Sequence, residues 1–442
     1  MYNRKVELQA AADAIAIAAA KELDGTDTGI ARAVAAAAQV ANDSFYDYNN
    51  SNVVWSNAAI RFATKPDAST WLDDATAAQP ANAANLFYAR VDTNLLASQP
   101  GDVSMFLLEV FPSVGATSHI SSSATAGRAS IGALPLAICA MSTIAGAARG
   151  TELVEYGFRR GISYNLMQLN PDSDAKGANY LINPVALAGT TGASVINRMD
   201  VIRPFVCTGT LAIPNVIGGN ITVEPDFPLD SVFQQLNSRF GKYTTPCNSS
   251  SAPPDTNVKE FSYLTEFPWL NSPPTSQSAE SRKRASPKQL LTVADLPASE
   301  ILTTNGGVYG PLWIYAPAVI KDTKYVSGQP EPKGGYTKFS ATGWPTPYTP
   351  GDQKVKPTKS YPSTPYKTNI ESPTTGTGVD DRRVLNVPLL RCPVTAGSPT
   401  TAEVLAIGKF FMTIQATDKE LYAEFAGLAP QTTLGGKVEL YR

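Results

Sequence analysis

Apolar residues recur every three or four positions near the start of the chain. Leu8, Ala12, Ile15 and Ala19 fall on one face of Arg4–Glu22, the spacing of an amphipathic helix built from strong helix formers. A second Ala-rich helix is predicted over Thr28–Asn42, with Asp27 as its N-cap. The pattern then changes. Asn52–Ala63 and Leu86–Leu96 are rich in β-branched and aromatic residues and read as strands. Val103–Phe111 is a compact apolar segment, and Ala116–Ser130 is a small-residue strand with partial alternation.

Beyond residue 130 the organisation differs. Gly150–Leu169 and Ala178–Val185 read as strand segments around a polar turn at Asn170–Gly177, and Leu229–Phe240 places Leu229, Val232, Phe233, Leu236 and Phe240 on one helical face. Asn248–Ser286 and Tyr325–Thr377 are rich in Pro, Ser, Thr, Lys and Gly, the composition of linkers, long surface loops or partner-binding arms. Gly307–Ile320 between them is strand-like. Order returns in the last sixty residues, with a strand at Arg383–Leu390, a helix near Ala402–Phe410, and strands at Phe411–Gln415, Leu421–Phe425 and Lys437–Tyr441.

Certain runs carry a family resemblance. The stretch L-Q-x-A-A-D-A-x-A-x-A-A-A at Leu8–Ala20, followed by strands with A-R-V and S-A-T-A-G-R, resembles TadE/TadG-like proteins of the Tad (Flp, tight-adherence) pilus system over about the first 130 residues. The Y-G-F-R-R-G-x-x-Y-N-L pattern beginning at Tyr156, R-R-V-L-N-V-P-L-L-R-C-P-V near residue 390, A-I-G-K-F-F-M-T and the V-E-L-Y-R ending at Arg442 are similar to TadG-like proteins without a von Willebrand domain. The D-x-S-x-S metal site of that domain is absent from the sequence.

The resemblance implies an α+β protein. A pilin-like module, residues 1–130, would pack its N-terminal helix on a small antiparallel sheet. A β-rich region, residues 131–442, would carry loop insertions near 248–286 and 325–377. It further implies a membrane helix immediately before Met1. The expected partners are other pilins and minor pilins, the inner membrane through that helix, and a surface ligand.

Composition narrows the function classes. The 442 residues carry a net charge of −2, which gives no global electrostatic case for nucleic acid as partner. Charged residues are 17% of the chain, against about 25% in typical soluble domains. With 34 Pro and 32 Gly, this suits a loop-rich extracytoplasmic protein. No run of eighteen apolar residues occurs. The four cysteines, Cys139, Cys207, Cys247 and Cys392, lack zinc or redox spacing. Three pairings are open to them. Cys207 with Cys247, which bracket one compact unit, and Cys139 with Cys392, both in apolar runs, are favoured over four buried thiols.

Candidate chemistry is sparse. His119 is the sole histidine and no G-x-S-x-G elbow or phosphate-binding loop accompanies it. Asp172 and Asp174 in NPDSDAKG, and Asp380 with Asp381, are acidic pairs without the further ligands of an EF-hand. They read as solvated turns, as does the basic run Arg282–Arg284. Trp269, Trp313, Tyr315, Trp344 and Tyr348 lie in or beside Pro-rich segments, where they could stack on sugars or fill a core. The expectation is a non-enzymatic minor-pilin-like protein with no cofactor, acting in pilus assembly or tip attachment. A secreted carbohydrate-binding or adhesin module is the second expectation, and a carboxylate-dependent extracellular hydrolase the third.

Overall fold

The helical stripe at the start of the chain is buried along its length. Leu8, Ala12, Ile15 and Ala19 are all fully buried, together with Ala16 and Ala20, on helix α1, Tyr2–Glu22. The protein is seen in a computed structural model that describes residues 2–23, 27–48, 50–83, 86–104, 117–161, 163–169, 179–184, 199–213, 216, 219–260, 282–283, 290–291, 319–326, 329, 331–338, 366, 370–430 and 434–441. The fold is α+β. Its longer helices after α1 are α2 (Asp27–Asn42), α3 (Met199–Thr208) and α4 (Leu229–Leu236). Its principal strands are β1 (Ile60–Ala63), β2 (Tyr88–Asp92), β3 (Ser123–Arg128), β4 (Leu136–Cys139), β5 (Ser163–Asn165), β6 (Asn179–Ile182), β7 (Asn220–Pro225), β8 (Val384–Leu390), β9 (Thr400–Met412), β10 (Tyr422–Leu428) and β11 (Val438–Tyr441).

Two compact units emerge. The first comprises Met1–Ile131, Ala212–Asn215 and Gly435–Arg442; the second comprises Gly132–Leu211 and Val216–Leu434. In the first unit an antiparallel sheet runs β11-β3-β2-β1, with registers Ile60↔Val91, Ala89↔Ala126 and Ala126↔Leu440. Helix α1 packs on β2, β3 and β11 and against α2. The core between them is largely alanine: Ala12, Ala16, Ala19, Ala33, Ala37, Ala89 and Ala126 are all fully buried. Small side chains permit close approach of helix and sheet, so the unit gains its stability from contact density more than from bulky side chains.

Three predicted strands are shorter than the sequence pattern indicates. Within Asn52–Ala63, Ser51–Asn52 pairs with Phe45–Tyr46 in a separate hairpin, and Ser56 caps a 3-10 turn at Asn57–Ala59 by accepting from Ala58 N, so only β1 reaches the sheet. Leu86–Leu96 stops as strand at Asp92, whose carboxylate accepts from Asn94 N at 2.9 Å and starts another 3-10 turn. Both cases follow the preference of Ser and Asp side chains for local backbone donors over a ladder. Ala116–Ser130 is broken at residues 120–122, and Thr117–His119 pairs with Asp102–Ser104 away from β3. Of Val103–Phe111, residues 105–111 lie outside the described residues.

In the second unit the sheet runs β5-β10-β9-β7-β6-β4-β8, and β8 also pairs with β9, closing a ring of β9, β7, β6, β4 and β8. Every pairing is antiparallel except β4 with β8. Its core is aromatic. The Phe158 ring lies 5.2 Å from Tyr164, 5.5 Å from Phe410 and 5.4 Å from Phe425, the first two edge-on, the geometry that aromatic quadrupoles favour. Helix α4 and the 3-10 turn after it bury Leu229, Val232, Leu236 and Phe240 into this core as the helical face predicts.

The segment Ala402–Phe410 is strand, not the helix expected for it. Ala402, Val404 and Ala406 are buried while Glu403 and Leu405 are half-buried, a period of two that the helix-forming residues Ala, Glu and Leu conceal. Tertiary pairing on both edges of β9 overrides propensity here. Gly150–Leu169 holds strands at Glu152–Glu155 and Phe158–Arg159 and then β5. Tyr156 and Gly157, at φ 49° and 82°, make the two-residue left-handed turn that tight hairpins require.

Parts of the two Pro-rich segments are built into this unit instead of decorating it. Asp255 and Ala252 are fully buried, and Asn257 and Tyr336 nearly so. The Asp255 carboxylate accepts from Arg383 N and from the Tyr366 hydroxyl, and Asn257 Nδ2 donates to Tyr366 O at 2.6 Å. Hydrogen bonds together with a few apolar contacts, Tyr366 on Phe411 and Tyr336 beside Leu153 and Val319, order these stretches, and composition does not register them. Residues 170–178, the strand-like run 307–318 and the aromatic residues Trp269, Trp313, Tyr315, Trp344 and Tyr348 lie outside the described residues.

Candidate functional site

The N-terminal end of α1 meets the hairpin Phe45–Asn52 through a set of polar ties. Asp47 and Tyr48 both have positive φ, 58° and 55°, a conformation that non-glycine residues hold only when surroundings compensate. Glu7 supplies the compensation: its two carboxylate oxygens accept from Asp47 N at 3.0 Å and from Tyr48 N at 3.2 Å. Arg4 pairs with Asp47 at 3.0 Å and lies 4.7 Å above the Tyr46 ring, and Asn3 Nδ2 donates to the Tyr48 hydroxyl at 2.8 Å. This clasp holds apolar groups in solvent. Tyr2 is 81% exposed, Tyr48 73%, Val6 50% and Phe45 48%. Scattered apolar residues on a surface are ordinary; these four lie on the first turns of α1 and on the hairpin tied to it.

The disulfides are Cys139–Cys392 and Cys207–Cys247, with Cα separations of 5.6 and 5.4 Å. The first joins the ends of β4 and β8, where Leu390 already pairs with Cys139. The second ties α3 to the turn after α4, beside buried Ala252.

Among the described residues, reactive chemistry does not assemble around the remaining candidates. His119 Nδ1 sits 2.6 Å from Asp102 Oδ1 and Nε2 bonds Asn94 Oδ1, so both ring nitrogens are occupied by a carboxylate and an amide, with no nucleophile in line. The ring clasps the hairpin of Asp102–Ser104 and Thr117–His119. Asp380 accepts from Thr256 Oγ1 at 2.8 Å, and the turn containing Asp172 and Asp174 lies outside the described residues. Of the basic run, Arg282 and Lys283 form a short strand paired with Leu290–Leu291. Among the described residues no group of three His, Cys, Asp or Glu could hold a metal ion, and no helix is long and apolar enough to cross a membrane.

Charged residues are instead spent in the interior of the second unit. Arg159 and Glu152, both buried, pair at 2.6 Å. Arg160 bridges Glu155 at 2.9 Å and Glu331 at 3.3 Å, with its guanidinium 5.3 Å from the Tyr336 ring centre. Arg383 lies 4.4 Å from the Phe240 ring and 4.5 Å from Phe411, and donates to the carbonyls of Met412, Thr413, Asn257 and Lys259. Burial pushes its pKa down to about 10, against the opposing charge of Asp255. None of these roles is visible in the sequence; adjacent arginines inside otherwise strand-like runs, at Arg159–Arg160 and Arg382–Arg383, are the hint it offers.

Comparison with family models, with curated proteins and with solved structures finds no match to this chain.

Proposed function

We infer that this protein is a non-enzymatic, minor-pilin-like component of a Tad pilus, acting by packing and tethering in pilus assembly or at the tip in surface attachment. The observation that carries the reading is α1 laid along an antiparallel sheet with its first turns holding Tyr2 and Val6 in solvent. A helix that buries one face in its own head and keeps Tyr2 and Val6 in solvent at one end is suited to lateral packing with like helices. The sequence resemblance of both chain ends supplies the system. Two disulfides favour an oxidising, extracytoplasmic compartment, a periplasmic or cell-surface location anchored at the inner membrane. The partners are then the other pilins and minor pilins of that system, with no nucleic acid.

Deleting the gene in its native host should abolish or alter pili and surface attachment without loss of an enzymatic turnover. Complementation with Tyr2→Ser and Tyr48→Ser together should leave a folded protein that assembles poorly. Normal pili and attachment in the deletion strain, with the gene expressed in the parent, would remove this reading.

A further inference from the structure

Helix α3 ends at a cavity of about 200 Å³ whose lining includes Gly209, Thr210, Arg239, Asp381, Arg382 and Asn386. Two arginines converge on it. Arg239 is 2% exposed; its Nη1 and Nη2 each donate to Val206 O at 3.2 Å, and its Nε has no partner. Arg382 donates to the carbonyls of Pro253 at 2.9 Å and of Thr208 and Cys207 at 3.0 Å. Most of these bonds cap the free carbonyls of the α3 C-terminus, which carries about half a negative charge; Asp255, whose charge reaches Arg382, already neighbours Arg383. Neither guanidinium forms an ion pair among the described residues. Burial, and then the charge of Arg382, pulls the Arg239 pKa well below its ordinary value. Burial and like charge both work against the Arg239 charge, which no carboxylate among the described residues contacts.

The remaining walls leave room for one. Gly209, at φ +72°, keeps the approach to Arg239 open, since a Cβ there would lie 2.9 Å from Nη2. Asn386 Nδ2 gives one hydrogen to Gly132 O at 2.7 Å and keeps a second. Asp381 is the acid among the lining residues; it is exposed and holds a left-handed φ of 62°.

We propose that this cavity binds a small oxyanion, a sulfate, phosphate or carboxylate group, through Arg239, Arg382 and Asn386. Charge-assisted bonds to an oxyanion satisfy a buried guanidinium better than water does. The test is calorimetric titration of the full chain with inorganic sulfate, inorganic phosphate and glucuronate, at constant ionic strength set with chloride. Saturable heat with sulfate or phosphate alone assigns the site to a free ion, and saturable heat with glucuronate assigns it to an acidic sugar; either result supports the site. Asp381→Asn removes the carboxylate at the mouth, and Asn tolerates left-handed backbone well. It should tighten binding about threefold or more, the order expected for one screened charge several ångströms away. Arg382→Gln should abolish binding. The proposal is overturned if no probe gives saturable heat, or if Asp381→Asn, with an unchanged melting temperature, leaves the affinity as it was.

Discussion

Removing each disulfide in turn measures how far the second unit depends on covalent closure. The Cys139–Cys392 bridge spans 253 residues of sequence and Cys207–Cys247 spans 40, nested inside it. A crosslink stabilises mainly by denying the unfolded chain its open conformations, a term that grows with the logarithm of loop length. It comes to about 4 kcal/mol for the inner loop and about 5.5 kcal/mol for the outer. The inner bridge short-circuits 40 residues of the outer loop, which leaves a difference of about 1.5 kcal/mol between them. Packing losses largely cancel in the comparison, because each double Cys→Ala variant removes two sulfur atoms and both pairs are mostly buried. The native register needs no help from the outer bridge, since Leu390 already pairs with Cys139 on the neighbouring strand. Urea unfolding followed by tryptophan and tyrosine fluorescence should therefore place Cys139→Ala/Cys392→Ala below Cys207→Ala/Cys247→Ala, and both well below the parent. The reverse order, or a loss under about 1 kcal/mol for the outer pair, would refute the entropic account.

Glu152→Ala takes the carboxylate from fully buried Arg159 and should cost about 3–5 kcal/mol by urea unfolding, whereas Lys437→Ala at an exposed pair should change little. Burial acts to raise the Glu331 pKa, but the charge and hydrogen bonds of Arg160 outweigh it and hold the carboxyl below its ordinary value of 4.5. The stability it contributes is thus complete above the unfolded value and is lost as pH falls through the lower folded one. Protection of amides near residues 319–338 should drop in that acidic window by hydrogen exchange, and Glu331→Gln should flatten the dependence. Ala12→Leu pushes a larger side chain into the fully buried helix face and should cost about 1–3 kcal/mol, read by thermal melting in circular dichroism.

The α+β class and the helix face were legible because period and propensity agree in α1: Leu8, Ala12, Ile15 and Ala19 are strong or neutral helix formers at helical spacing, and all four are buried. The cysteine pairing was legible for a different reason, since Cys139 and Cys392 each sit in apolar runs that become neighbouring strands. Where period and propensity conflict the reading failed. Ala402–Phe410 has helical composition and strand burial, and only its neighbours β7, β8 and β10 decide between them. Strand lengths failed at Ser56 and Asp92, where one side-chain oxygen redirects the backbone. The clasp of Glu7 on Asp47 and Tyr48 and the arginine-lined cavity were not legible at all. Each is assembled from segments distant in sequence, by hydrogen bonds that leave no periodic trace.

Strand β11 covers β3 and becomes the edge of the first unit's sheet, pairing Val438 with Arg128 and Tyr441 with Thr125. During synthesis more than three hundred residues must follow β3 before that partner exists, although the rest of the unit is ready to collapse much earlier. Until then β3 offers a bare row of backbone donors and acceptors, a template for a strand from another chain. A chain released before residue 438 therefore presents the six-residue β3 as its edge in place of the four-residue β11, the shorter edge that limits strand pairing with other chains.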